Sequence, residues 1–235
     1  MLKSLLKKSF IYKYYASYKS KKYHEHLQYL SDVFHKEGEC VLRDFAEALN
    51  KNNIRFWLDY GTLLGYYREH DFIGHDTDID IGAFMEDVEI VKNALENNGF
   101  RLVRRYNNLD ASGVEHCYSK IGTKTTIDVF FYKEEDSSIS CYGYYPLPKI
   151  NIKRNLFKEI PFTAYLCTMP FNGLKKAIFK GIDVYVPNDI DGYLKANYGP
   201  TYMIPDPNYS SSSATNIKRF SYEEKPAVGY LEMPY

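Results

Sequence analysis

The chain has little cysteine and no pairing of it. Cys40, Cys117, Cys141 and Cys167 stand far apart among 235 residues, with no Cys-x-x-Cys motif. Neither a zinc framework nor a redox pair is written there, and the reducing cytoplasm is the expected compartment. Long apolar runs are also missing. None approaches the roughly 20 residues that span a bilayer, and the stretch from Leu2 to Leu6, broken by Lys3 and Ser4, is too short for the core of a signal peptide. A soluble or peripherally attached protein is expected, in the cytoplasm or at the inner face of its membrane. Net charge is absent too, because 30 basic and 30 acidic side chains cancel. No whole-chain attraction for nucleic acid follows, and no nucleic-acid partner is expected. What the chain has in excess is tyrosine, 24 against a single tryptophan. Such rings suit packed surfaces and strand faces and decide nothing about function by themselves.

The neutrality conceals an asymmetry. Seven lysines precede the first acid, Glu25, which leaves the rest of the chain acidic by seven charges. Residues 1–24 therefore form a basic, aromatic arm, and residues 25–235 form the body. The arm mixes its lysines with Leu2, Leu5, Leu6, Phe10, Ile11, Tyr14, Tyr15 and Tyr18, spread too widely around a helical wheel for one apolar stripe. Two readings stand side by side: peripheral membrane contact through residues 1–22, or a solvated helix that packs its rings on the body.

Further along, the pattern predicts a helix whose stronger part covers residues 39–51, with Gly38 weakening what precedes it. A buried strand at 54–58, a turn at Asp59-Tyr60-Gly61 and a short helix to Arg68 follow. A strand at 78–83, a helix at 86–97 stopped by Gly99, and strands at 100–105, 115–121 and 125–132 come next. This alternation indicates a mixed α/β (α+β) domain with flanking helices. Beyond the polar turn at 134–138, Pro146, Pro148, Pro161 and Pro170 give an irregular reading, relieved by a strand at 182–186 and a helix ending at Tyr198. A Pro- and Ser-rich tail begins at Gly199, with Ser210 to Ser213 read as flexible.

The chemistry is concentrated in Asp76-Thr77-Asp78-Ile79-Asp80-Ile81. On a strand, Asp78 and Asp80 project from one face while Ile79 and Ile81 enter the core. Two carboxylates that close repel each other unless a cation lies between them, and a divalent ion with hard oxygen ligands is the natural occupant. A bare Asp-x-Asp is as easily an acidic surface strand. A third acid, Asp128, stands in Thr126-Ile127-Asp128-Val129-Phe130, again flanked by strand-forming neighbours. If the two strands pair, three acids meet. Gly61-Thr62, at a strand-to-helix turn, offers close backbone approach and free N–H groups to a phosphate, and Arg68 lies one to two turns on.

These segments resemble the LicD family, which includes bacterial phosphocholine transferases and the eukaryotic fukutin and fukutin-related proteins. The likeness is carried by Trp57-Leu58 through Gly65 with Arg68, then by Ile73-Gly74-His75-Asp76-Thr77-Asp78-Ile79-Asp80-Ile81. It extends to Asp128, to Asp191-Gly192-Tyr193-Leu194 and to Tyr198-Gly199-Pro200. The family's usual Pro-Trp-Asp-Asp-Asp run is replaced here by Gly74-His75-Asp76-Thr77-Asp78. The resemblance implies a nucleotidyltransferase-like fold and a metal-dependent phosphotransferase. Asp78, Asp80 and Asp128 would be catalytic and hold Mg²⁺ or Mn²⁺, with Asp128 either ligating the ion or acting as a general base. Gly61, Thr62, Arg68 and Asp76 would bind substrate. The implied donor is CDP-linked, carrying phosphocholine, ribitol phosphate or a similar group. The implied acceptor is a hydroxyl of a surface glycan or glycolipid, and CMP would leave. Three alternatives use the same residues: a nucleotidyltransferase acting on an NTP, a DxD glycosyltransferase, and a non-enzymatic binding module stabilised by a divalent cation. The glycosyltransferase is disfavoured by how little chain precedes Asp78.

Overall fold

A computed structural model describes residues 10–206, 209 and 214–233, with the side chains of residues 10–17 and 19 outside the description. The first helix, α1 (Phe10–Lys51), runs unbroken through Gly38. The expected weak point is instead a packing device: a Cβ at Gly38 would sit 3.0 Å from the ring of Phe34. Phe34, Val41, Leu42, Phe45 and Leu49 are buried at helical spacing. The helix ends where Asn53 takes the left-handed conformation at φ 54° and Ile54 N–H donates to the Leu49 carbonyl. Tyr18 and Tyr23, arm aromatics with described side chains, are exposed and do not pack on the body. The rest of the arm lies largely outside the described residues, and among those described no helix is long and apolar enough to cross a membrane.

The elements that follow are β1 (Phe56–Leu58), α2 (Tyr60–Arg68), β2 (Asp78–Phe84), α3 (Val88–Glu96), β3 (Phe100–Asn108), β4 (Val114–Lys120) and β5 (Thr126–Glu135). Then come β6 (Ser138–Pro146), β7 (Glu159–Pro170), β8 (Leu174–Phe179), β9 (Ile182–Pro187), α4 (Ile190–Tyr198), β10 (Ile217–Arg219) and β11 (Pro226–Leu231). The fold is mixed α/β, with a large mixed sheet and flanking helices. β2 lies parallel to β5, with Asp80 opposite Asp128, and antiparallel to β1, with Leu58 opposite Ile81. Ile79, Ile81, Ile127 and Val129 enter the main core with Phe34, Leu42, Phe45, Val91 and Leu95. The alternation of side chains therefore sends the three acids to the other face.

The stretch read as irregular from the prolines is in fact rich in strands. Pro146 and Pro170 occupy the last positions of β6 and β7. Pro161 faces Val228 one residue beyond the end of the β6–β7 pairing, which stops at Pro146 and Phe162. Each proline sits where a missing N–H breaks no ladder. The strands also close on themselves. β5 pairs β4, β4 pairs β3, β3 pairs β11, β11 pairs β7, β7 pairs β6, and β6 returns to β5. A second, smaller core of Tyr106, Tyr144, Ile160, Phe162, Ala164, Ala227 and Leu231 lies among these strands. The Ser-rich segment 210–213 falls outside the described residues.

Candidate active site

Asp59 caps α2. Its buried carboxylate accepts from Tyr60 N–H at 2.8 Å, Tyr193 O–H at 3.0 Å and Tyr132 O–H at 2.6 Å. Tyr60 takes a positive φ of 34° to enter the helix, and strain of this kind persists only where the surroundings hold it. The following residues are stitched to β2. Gly61 N–H donates to Asp80 Oδ2 at 3.0 Å, Asp80 N–H donates to Thr62 Oγ1 at 2.9 Å, and Asp59 N–H donates to the Asp80 carbonyl at 3.1 Å. The helix start thus holds the Asp80 carboxylate itself. A Cβ at Gly61 would lie 3.2 Å from Asp80 Oδ2, close enough that this carboxylate would have to shift by a few tenths of an ångström.

Asp78, Asp80 and Asp128 share the face opposite the core. Burial, and then the charge of Asp128, pushes Asp78 up to about 7. Burial, followed by the charges of Asp78 and Asp128, holds Asp80 well above the usual carboxylate range. Burial pushes Asp76 up to about 6 against the opposing bond from Ile73 N–H. Asp128 is engaged differently, accepting from the Arg104 guanidinium at 3.2 Å, with the two side chains only 17% and 6% exposed. Among the described residues no three His, Cys, Asp or Glu side chains are grouped so that they could hold a metal ion as they stand. The donor chemistry nevertheless suits a divalent cation, since Asp78 and Asp80 are adjacent hard oxygen donors whose shared burial disfavours two bare charges. The third carboxylate, Asp128, is occupied by Arg104.

Beside the acids opens a cavity of about 860 Å³, lined by Gly61, Arg68, His75, Asp76 and Asp80 and by Tyr60, Tyr165, Tyr198, Tyr202 and Tyr209, among others. Of the residues expected at the site, Gly61, Arg68, Asp76 and Asp80 are brought together on this wall. Thr62 is not: it is buried at 1% exposure and its hydroxyl anchors the Asp80 backbone. Arg68 lines the cavity with its guanidinium bound to Glu69 at 2.8 Å and to the Tyr202 carbonyl at 3.2 Å. The tyrosine wall drawn from β7, α4 and the segment after it was not foreseen from the sequence, beyond Tyr198 within the Tyr-Gly-Pro likeness. Nor was Arg104.

With this geometry in view, comparison with known proteins places the chain. A family model described as LicD/FKTN/FKRP, nucleotidyltransferase domain, matches residues 53–189, and the chain belongs to that family. Human ribitol-5-phosphate transferase FKTN is 32% identical over 185 residues, covering 76% of this chain and 37% of the relative. Mouse ribitol 5-phosphate transferase FKRP is 24% identical over 192 residues, 76% of this chain and 35% of the relative. An uncharacterized protein of Rickettsia typhi is 31% identical over 163 residues, 67% of this chain and 44% of that protein. The alignments therefore span less than half the length of these relatives. Among solved structures, a lincomycin-bound lincosamide adenylyltransferase, LnuA, superposes with a TM-score of 0.38 at 14% identity, over 67% of this chain and 82% of that one.

Proposed function

We propose that the chain transfers a phospho-substituent from a nucleotide-linked donor to a hydroxyl of a glycan. The observation that carries this is the register of β2 and β5, which sets Asp128 beside Asp80, itself on the wall of a cavity large enough for a nucleotide-sized ligand. Membership of a family whose relatives bear the name ribitol-5-phosphate transferase supports the reaction class. The donor is read as CDP-linked, with ribitol phosphate, phosphocholine or a similar group moving and CMP leaving.

Asp78 and Asp80 would hold Mg²⁺ or Mn²⁺, which when bound neutralises charge on the transferring phosphate. The N–H of Gly61 fixes the Asp80 carboxylate, so that its orientation is set before substrate arrives. Asp128 stands in register with Asp80 as a third ligand or as the group that takes the acceptor's proton. The tyrosines of the cavity wall supply flat surfaces for the non-phosphate part of the substrate and help exclude water. Arg68 and Asp76 remain the polar contacts for substrate on that wall.

The test incubates the protein with Mg²⁺, a glycan acceptor and, in separate reactions, CDP-ribitol, CDP-choline, CDP-glycerol, CDP-ethanolamine or CTP. Products are identified by phosphorus NMR and mass spectrometry. CMP release with a head-group phosphate on the acceptor is the expected result. Pyrophosphate from CTP with a CMP-modified acceptor would instead establish a nucleotidyltransferase, and release of CDP would overturn the proposed bond cleavage.

A further inference from the structure

Arg104 reaches the acids by a specific irregularity. In the β3–β4 pair, Leu102 faces Tyr118, but Arg104 faces Cys117 rather than His116, because the register shifts between Leu102 and Arg104. Cys117 in turn faces Asp128. Without the shift, Arg104 would share the face of Leu102, which packs against the main core. The bulge turns it instead onto the acidic face, where its side chain spans β4 to meet Asp128. Bulges that re-aim a side chain beside a site are a recurrent device. The charged groups on this face are Asp78, Asp80, Asp128 and Glu115 against the guanidinium of Arg104, all on the four adjacent strands β2, β5, β4 and β3. A buried acid cluster needs positive charge, and the arginine supplies it at Asp128, the third carboxylate of the face.

We propose that Arg104 is the resident counter-cation of this face: its guanidinium holds Asp128 in the absence of metal, and loading of a divalent cation requires that ion pair to open. This rests on the reading that Asp78, Asp80 and Asp128 form the cation site. Arg104 is then a positioning residue that competes with the ion for one carboxylate and keeps the acidic face folded until the ion is bound.

The experiment measures Mn²⁺ binding to the full chain by electron paramagnetic resonance and calorimetry, together with thermal melting with and without Mn²⁺. The proteins compared are the wild type, Arg104→Met, Asp128→Asn and the double variant. Arg104→Met should bind Mn²⁺ about tenfold tighter than the wild type, the order expected when two cations exclude each other from one ligand. It should also melt at a lower temperature without Mn²⁺ and recover most of that loss at saturation. In the Asp128→Asn background, removing Arg104 should change affinity by less than about twofold, since the shared carboxylate is gone. If Arg104→Met does not fold, Arg104→Gln carries the same comparison. Folded Arg104 variants with unchanged or weaker Mn²⁺ affinity, alongside a wild type that binds the ion, would overturn the competition and leave the cation site standing. Absence of Mn²⁺ binding in all four proteins would overturn the cation site and this proposal with it.

Discussion

Asp59 offers a quantitative test of how the helix start is built. Its carboxylate is fully buried, and burial pushes its pKa from an ordinary 3.8 up to about 6, against the lowering effect of bonds from Tyr132, Tyr60 and Tyr193. Between about pH 4 and pH 6 the folded chain then holds on Asp59 a proton that the unfolded chain has lost, so the Asp59 contribution to stability falls as pH rises through that window and is constant above it. The rise corresponds to about 3 kcal/mol of folding free energy once Asp59 is ionised in both states. Asp59→Asn keeps an oxygen for Tyr60 N–H and Tyr193 O–H, and the Tyr132 hydroxyl can turn to accept from the new amide. The variant should match the wild type near pH 4 and exceed it by up to about 3 kcal/mol at pH 8. Asp59→Leu leaves three buried donors without acceptors, at about 1–3 kcal/mol each, and should melt far below the wild type at every pH. Urea unfolding from pH 4 to pH 8 measures all three proteins. Parallel wild-type and Asp59→Asn curves across pH 4 to 6 would refute the assignment of the buried charge.

Other consequences are equally measurable. Asp78→Asn and Asp80→Asn should each abolish transfer while leaving circular dichroism unchanged and raising the metal-free melting temperature, because each removes like-charge repulsion; an active double variant would disprove the role of the acids. Thr62→Val removes the acceptor of Asp80 N–H and should cost about 1–2 kcal/mol in unfolding measurements, with turnover falling although Thr62 does not line the cavity. Gly82→Ala places a Cβ 2.1 Å from the Trp57 ring and should destabilise by about 3 kcal/mol or more, read as a lowered denaturation midpoint. Removal of residues 1–22 takes away seven lysines, each worth about 1 kcal/mol at most near an anionic surface. It should weaken sedimentation with anionic vesicles while leaving reaction with a soluble acceptor fragment unchanged.

The acids were legible in the sequence because strand alternation is a local signal: Asp78-Ile79-Asp80-Ile81 states both the face and the core. That Asp128 would align with Asp80 was a matter of which strands pair, and the isoleucines and valines around it gave only the strand. In the β6–β7 region prolines suggest interruptions, whereas Pro146 and Pro170 mark strand ends and Pro161 lies one residue past the end of the β6 pairing. The place of Thr62 after Gly61 suggests a phosphate contact, yet a threonine at that point can equally turn its hydroxyl inward to the next strand, and here it does. Arg104 was invisible for a different reason. In Leu102-Val103-Arg104-Arg105-Tyr106 strict alternation would send Arg104 to the core side, and only the register shift, a property of the paired strands, reverses it.

That register is held from both sides, which ties the acidic face to parts of the chain outside the segment that matches the family. Arg104 faces Cys117 on β4 and Leu231 on β11, and β11 lies beyond residue 189, where the family match stops. β5 carries Asp128 between β2 on one side and β4 on the other, and near its end it also pairs with β6 to close the strand circuit. The residues that hold the acids thus come from a local motif near the start of the match. The residue that balances their charge is positioned by a ring of strands closed only near the end of the chain. A bulge inside such a ring is fixed by neighbours on both edges and does not slip as it could on an open edge. The physical consequence is that the electrostatics of the site depend on the ring being closed, whereas Asp80 is also held locally by Asp59, Gly61 and Thr62 at the start of α2.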